Sequence, residues 1–313
     1  RDRGIHGYRM RINNLSFLNL VRIRSLSQLF RENQVGSVIM NLPSDVKIAG
    51  PASRRAGVKK IMYRRGTALP VHNNFYNRYL FKKIITHIIT NSHATKNLLL
   101  KQNAELVEPE KFRIIYNGLD FAEFDNRPVN PIYTREGDEL VIGNASRFVE
   151  QKGHKYLIEI AKKLKSRRVP FRLLLAGEGK LKNSIIKQAK KEGVYDNLLF
   201  TGFITDIKSF MASIDIFLLT SLWEGFGYVI VEAMAGEKPV IAFDISSNPE
   251  IIRDGENGYL IPFQDTDTFV EKINTLYRNP KLRSQMAKEA RKTAVENFNM
   301  DYMVRQVEEL ISE

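Results

Sequence analysis

Between Leu140 and Phe243, short uninterrupted apolar runs alternate with segments of helical spacing, and few architectures accept that alternation. Leu140–Ala145, Phe171–Ala176, Leu198–Thr201, Ile214–Thr220 and Pro239–Phe243 read as strands. His154–Arg168, Lys180–Glu192, Asp206–Ala212 and Val229–Ala235 read as helices between them. Strands that are apolar throughout, rather than at every second residue, are those buried on both faces. Joined by helices in right-handed crossovers, they make a doubly wound parallel sheet. Helices over Thr266–Arg278, Pro280–Asn297 and Asp301–Ser312 close the chain.

An earlier series has the same character. Val35–Asn41 predicts a strand, Ala49–Ala56 a small-residue helix and Lys59–Tyr63 a second strand. A helix from Tyr76 to at least Lys83 runs into a strand over Thr86–Asn91, and Ser92 then caps a helix over His93–Gln102. Phe112–Tyr116 is a strand ending in Asn117-Gly118, and Asp120–Asp138, with Pro128, Pro131 and Gly137, reads as a linker. The expected organisation is therefore two α/β domains, over 1–120 and 121–298, with a helix over 299–313 returning to the first. A length of 313 residues suits two domains of the usual ~100–200 residues each.

With no cysteine, the sequence has no disulfide scaffold, thiolate zinc site or cysteine nucleophile, and it suits a reducing compartment. Apolar stretches such as Ile84–Thr90 and Ile214–Ser221 are far shorter than the ~20 residues of a bilayer-spanning helix. The net charge of +13 is unevenly placed. Residues 1–120 carry 21 Lys and Arg against 7 Asp and Glu, a balance of +14, whereas the rest carries 27 against 28. A basic first half points to an anionic partner: a lipid surface, a phosphorylated acceptor or nucleic acid. A basic solvated face is the plainer alternative.

Ligands of open parallel sheets bind beyond the carboxyl ends of the strands, so the residues just after each strand carry the most information. After the first, Asn144-Ala145-Ser146-Arg147-Phe148-Val149-Glu150-Gln151-Lys152-Gly153 places two cations at a strand-to-helix turn. Arg147 and Lys152, with free backbone N–H groups, suit a diphosphate. After Thr220, Glu224 lies on a loop and Glu232 just over one turn into the following helix. Gly225-Phe226-Gly227 between them lets a ligand approach the backbone at the positive end of that helix. Carboxylates accept hydrogen bonds from hydroxyls, so the pair suits a sugar nucleotide, with Glu232 on the ribose and Glu224 on the sugar. Gly177, in Ala176-Gly177-Glu178-Gly179, is either a site-lining residue or part of a plain turn. The backbone near Phe203 either meets a base or leads into a helix capped by Asp206.

These motifs together resemble the retaining GT-B glycosyltransferases of family 4. Asn144–Gly258 is similar to that family's donor domain, Arg147 and Lys152 to its basic pair, and Glu224 and Glu232 to its glutamates at E-x7-E spacing. Asn117-Gly118-Leu119-Asp120 resembles its hinge, and the likeness runs from about Leu29 to the end. The resemblance implies two Rossmann-like doubly wound domains, the first N-terminally incomplete, a retaining and metal-independent transfer, and no cofactor beyond a UDP- or GDP-sugar donor. The family commonly has a histidine after the strand that here is Lys59–Tyr63; Arg65 stands there instead, with His72 as a substitute seven residues on. Arg65, Arg147, Lys152 and Glu224 are thus the catalytic candidates. Glu232, Gly225, Phe226, Gly227, Gly177 and Phe203 are the donor-binding ones.

The implied activity is transfer of a hexose-type sugar to a glycan or lipid-linked acceptor in cell-surface polysaccharide or lipopolysaccharide synthesis. The expected place is the cytoplasm, peripheral at the inner membrane face, where an anionic lipid-linked or phosphorylated acceptor is drawn to Arg54, Arg55, Lys59 and Lys60. Asp265-Thr266-Asp267 lies in a late polar loop and reads as a helix cap rather than a metal site. Phosphorolysis of a glycan lacks an identifiable phosphate pocket, and a sugar-nucleotide epimerase of the same plan remains an alternative. So does a basic nucleotide or nucleic-acid binder using Tyr76, Arg78, Tyr79, Phe81, Lys82 and Lys83, although nucleic acid leaves the two glutamates without a task.

Overall fold

The computed structural model describes residues 7–10, 19–66, 71–103 and 105–313. The chain folds into two compact units, one of Arg1–Asn91, Thr95–Ile115 and Leu310–Glu313, the other of Ser92–Ala94 and Tyr116–Glu309. The first unit contains α1 (Leu20–Glu32), β1 (Ser37–Met40), α2 (Pro43–Ala56), β2 (Lys60–Arg65), α3 (Phe75–Tyr79), β3 (His87–Thr90), most of α4 (His93–Asn103) and β4 (Phe112–Ile114). The strands form a parallel sheet in the order β1-β2-β3-β4. Ile61, Tyr63, Ile88 and Phe112 bury one face beneath Leu80, Phe81, Ile84 and Leu99.

Two readings of this unit are corrected. The helix expected over Ala49–Ala56 begins at Pro43, because proline at the first helical position needs no N–H partner and Asp45 accepts from the Leu42 N–H at 2.9 Å. The helix expected from Tyr76 to Lys83 is α only over Phe75–Tyr79 and widens into a π turn at Leu80–Ile84, which places Leu80, Phe81 and Ile84 in the core. The chain before the first expected strand also carries α1, whose Ile23 packs on Ile48 and Ala52 of α2.

The second unit contains α5 (Phe121–Asn126), β5 (Leu140–Ala145), α6 (His154–Ser166), β6 (Phe171–Ala176), α7 (Lys182–Lys191), β7 (Leu198–Gly202), α8 (Ile207–Ala212) and β8 (Ile216–Leu219). It continues with α9 (Tyr228–Ala235), β9 (Val240–Phe243), α10 (Asn248–Ile251), β10 (Gly258–Ile261), α11 (Thr266–Arg278), α12 (Pro280–Asn297) and most of α13 (Met300–Ser312). All six strands run parallel in the order β10-β9-β8-β5-β6-β7. Successive residues serve opposite faces. Ile142, Leu173, Leu175 and Leu218 pack with α6 and α11. Val141, Leu174, Phe217 and Leu219 pack with α8, α9 and α12. Both faces are buried, which is why these strands carry no polar alternation.

Asp120–Asp138 is not simply a linker. Asp120 caps α5 by accepting from the Glu123 N–H at 2.8 Å, and Phe121 and Phe124 bury themselves in the sheet's second face. Only these two large apolar residues mark that helix, too few to stand out beside Pro128 and Pro131. The strand β10 likewise has no counterpart among the expected elements. Leu119 pairs with the chain around Asn299, its N–H donating to the Phe298 carbonyl at 2.8 Å, while the Met300 N–H returns to its own carbonyl at 3.0 Å. In α13, Leu310 is buried and Ile311 is exposed. The Lys60 ammonium donates to the Leu310 carbonyl at 2.8 Å.

Candidate donor-binding site

The strand order reverses direction between β5 and β8, and at such a point two neighbouring loops part to leave a crevice. The loops after β5 and β8 are drawn together at its floor. A Cβ on Gly153 would stand 2.0 Å from the Thr220 carbonyl oxygen, and Gly153 has φ +61°, so only glycine allows this approach. The Leu222 N–H donates to the Gln151 carbonyl at 2.7 Å, and the Gln151 amide to the Trp223 carbonyl at 2.9 Å. These links bring the Lys152 ammonium to 2.5 Å from Glu224 Oε1, with both side chains largely enclosed. Two motifs separated by about seventy residues of sequence thus meet as one ion pair.

Beside this pair lies a cavity of about 550 Å³ beyond the ends of β5, β6 and β7. Arg147, Gly177, Phe203 and Glu232 line it, together with Ser146 and Arg127. Arg147 is exposed at the turn after β5, where its guanidinium is accessible to an anion. Glu232, on α9, is half-buried, and removal from water pushes its carboxyl up to about 7 against the opposing pull of Arg127. Arg127 is itself held by Glu123 one turn earlier. Phe203 is 75 % exposed, an aromatic face offered to solvent at the wall of the cavity.

The cavity therefore gathers Arg147, Gly177, Phe203 and Glu232, but not the other candidates. Lys152 and Glu224 pair nearby without lining it. Gly225 and Gly227 form the loop into α9, whereas the ring of Phe226 turns inward, 5.8 Å from Tyr116 and 5.6 Å from Phe298. Only the backbone of Phe226 is left to serve a ligand. Gly177, with φ +136°, could not carry a Cβ, which would stand 2.0 Å from the Ser146 carbonyl oxygen. Asp206 is a helix cap, accepting from the Ser209 N–H at 3.1 Å, and Asp265 caps α11 through Thr268 at 3.0 Å. Arg65 belongs to the other unit. It is 3 % exposed, donates from Nη1 to the Tyr63 hydroxyl at 3.0 Å, and shares a cavity of about 220 Å³ with exposed His72.

Three residues escape a reading of the sequence. Arg127 falls in the stretch read as linker, Ser146 is hidden within the basic motif, and His154 is one residue beyond it. His154 is buried against Phe148, with ring centroids 4.2 Å apart. Burial and the nearby Lys152 lower its pKa to about 4, so the ring is neutral. Their side-chain partners are near in sequence, Glu123 for Arg127 and Asn144 and His154 for Ser146, but no motif spacing marks them, and only the assembled cavity shows that Arg127 and Ser146 line it.

Residues 127–293 match the family model described as "Glycosyl transferases group 1". The poly(ribitol-phosphate) alpha-N-acetylglucosaminyltransferase of Staphylococcus aureus (strain COL) is 27% identical over 234 residues, covering 74% of this chain and 46% of its own. The chain spans about half the length of the curated relatives it matches first, 46% and 46% for two of them. Among solved structures, a glycosyltransferase from Rickettsia africae ESF-5 superposes with TM-score 0.84 at 21% identity, over 98% of this chain and 83% of that one. Anabaena Alr3699/HepE in complex with UDP superposes with TM-score 0.80 at 23% identity, over 93% and 81%. At these identities the likeness establishes the GT-B fold, two parallel-sheet α/β domains.

Proposed function

Because the chain belongs to the glycosyl transferases group 1 family, we propose that its second unit binds a UDP- or GDP-sugar and that the protein transfers a hexose-type sugar with retention of configuration. The observation that carries this reading is the meeting of Arg147 and Glu232 on one 550 Å³ cavity at the sheet's switch point. A cation and a carboxylate there match a diphosphate and a ribose diol. Glu232 accepts from the ribose hydroxyls, Phe203 lies beside the base, and Arg147 meets the diphosphate. Glu224 holds a sugar hydroxyl while fixing the Lys152 ammonium toward the leaving group.

When the bond between the anomeric carbon and the phosphate oxygen breaks, its electron pair passes to the diphosphate, the acceptor's hydroxyl oxygen bonds to the anomeric carbon, and the hydroxyl proton passes to the departing phosphate. Arg147 and Lys152 meet that growing charge, as preorganised donors do in other acyl and phosphoryl sites. No metal or further cofactor enters this proposal, since the two cations supply the positive charge at the leaving group. The acceptor is a glycan or lipid-linked molecule of cell-surface polysaccharide or lipopolysaccharide synthesis. The +14 balance of residues 1–120 supports an anionic acceptor, and so does a relative named for a phosphate-containing polymer. Peripheral attachment to anionic lipid at the inner membrane face belongs to the same proposal. Among the described residues no helix is long and apolar enough to cross a membrane.

A panel of nucleotide sugars in a thermal-shift assay tests this reading. A ligand at about one hundred times its Kd stabilises by about 2.7 kcal/mol. UDP- or GDP-sugars should shift the melting temperature and the corresponding adenosine compounds should shift it less. Equal shifts for all, or none, would contradict it.

A further inference from the structure

A directional hydrogen-bond chain runs behind the cavity wall. The Asn144 amide donates to the Leu218 carbonyl at 2.8 Å, which fixes its oxygen toward Ser146. The Ser146 hydroxyl spends its one proton on that oxygen at 2.9 Å. His154 Nε2 lies 3.3 Å from the same hydroxyl. With the serine proton already committed, this contact is a hydrogen bond only if Nε2 carries the proton and donates. The other ring nitrogen, Nδ1, is buried and has no hydrogen-bond partner among the described residues, as befits an unprotonated acceptor against the ring of Phe148. Ser146 therefore faces the cavity with no proton to give and one lone pair to offer.

We propose that Ser146 is an acceptor-only group in the cavity, its proton held by Asn144, and that His154 is a positioning residue that fills one lone pair and so aims the other, with the result that the bound ligand must present a hydroxyl or N–H at that point. The inference rests on the donor-site reading above, because it needs a nucleotide-sugar hydroxyl, amide or base N–H to occupy the cavity. It adds a selection rule: ligands offering only acceptors at Ser146 are disfavoured, since two lone pairs would face each other.

Two measurements test it. Nitrogen NMR of histidine-labelled protein is tractable with five histidines and reads the tautomer directly, with or without ligand. His154 should be the neutral Nε2–H form at pH 7, and an Nδ1–H form would overturn the proposal. The second is a binding cycle with UDP and GDP. Ser146→Ala and His154→Phe, which keeps the ring stack, should each weaken uptake about 3–10-fold, the worth of one net hydrogen bond. The double variant should be no weaker than Ser146→Ala alone, and His154→Gln, which restores an N–H, should recover most of the loss. Additive losses, or parent-like binding by His154→Phe, would refute the role of His154. Failure of the parent to bind either nucleotide would instead contradict the donor-site reading, while the tautomer tests the hydrogen-bond chain independently of it.

Discussion

Glu232 keeps its proton up to about pH 7 in the folded chain, whereas its ordinary value is 4.5. The folded state thus binds this proton more tightly than the unfolded one. As pH climbs from about 4.5 to about 7, that advantage is lost, on the order of 3 kcal/mol in all at about 1.4 kcal/mol per unit. Glu232→Gln should therefore be more stable than the parent above pH 7 and converge with it near pH 4.5, in denaturant melts across that range. A constant difference would show that burial does not govern the carboxyl. Because ribose hydroxyls donate best to a carboxylate, nucleotide uptake should also strengthen from pH 6 to pH 8. Arg147 and Lys152 make a kinetic prediction instead. Replacing either by alanine should lower turnover more than donor affinity, by about 2–4 kcal/mol of barrier, since the leaving-group charge grows toward the transition state. Steady-state kinetics beside direct titration separates the two, and a loss confined to affinity would reverse the assignment.

The elements set these residues by close backbone approach. Gly177 lets the end of β6 lie against the Ser146 carbonyl, where any Cβ would collide at 2.0 Å. Gly177→Ala should cost about 1–3 kcal/mol or more of stability and weaken nucleotide uptake. Gly36→Ala, which meets nothing within 4 Å and has no positive φ, is the matched control and should do neither. Parent-like behaviour of Gly177→Ala would mean that the turn is not fixed as described. The same elements show what the sequence makes legible. The strands β5 to β9 are visible because burial on both faces writes itself as uninterrupted apolar runs. The helix α5 is not, because a two-turn helix needs only Phe121 and Phe124, and its neighbours are prolines and polar residues. The cavity follows the same divide. Arg147 and Glu232 are readable from their places after strands, whereas Arg127 and Ser146 gain meaning only once the cavity gathers them with loops far away in sequence, and His154 only through its contact with Ser146. The inward turn of Phe226 is equally invisible, since the glycines on either side suggest an open loop and the aromatic cluster with Tyr116 and Phe298 is long-range.

Over the whole molecule the charge asymmetry is the feature to test first. Residues 1–120 hold the balance of +14, including Arg54, Arg55, Lys59 and Lys60 in and after α2. Vesicles rich in anionic lipid should co-sediment with the protein at low salt and release it as ionic strength rises, because the Debye length shrinks to ~8 Å at physiological salt. Equal binding to neutral vesicles, or none at low salt, would favour a soluble acceptor. The central claim, however, concerns the second unit, and calorimetric titration of UDP and GDP into the parent, Glu232→Ala and Glu224→Ala addresses it most directly. The parent should bind one of the two nucleotides, Glu232→Ala should lose most of that affinity, and Glu224→Ala should keep it while losing turnover with the sugar donor. Parent-like binding by Glu232→Ala, or no binding of either nucleotide by the parent, would contradict the assignment of this cavity as the donor site.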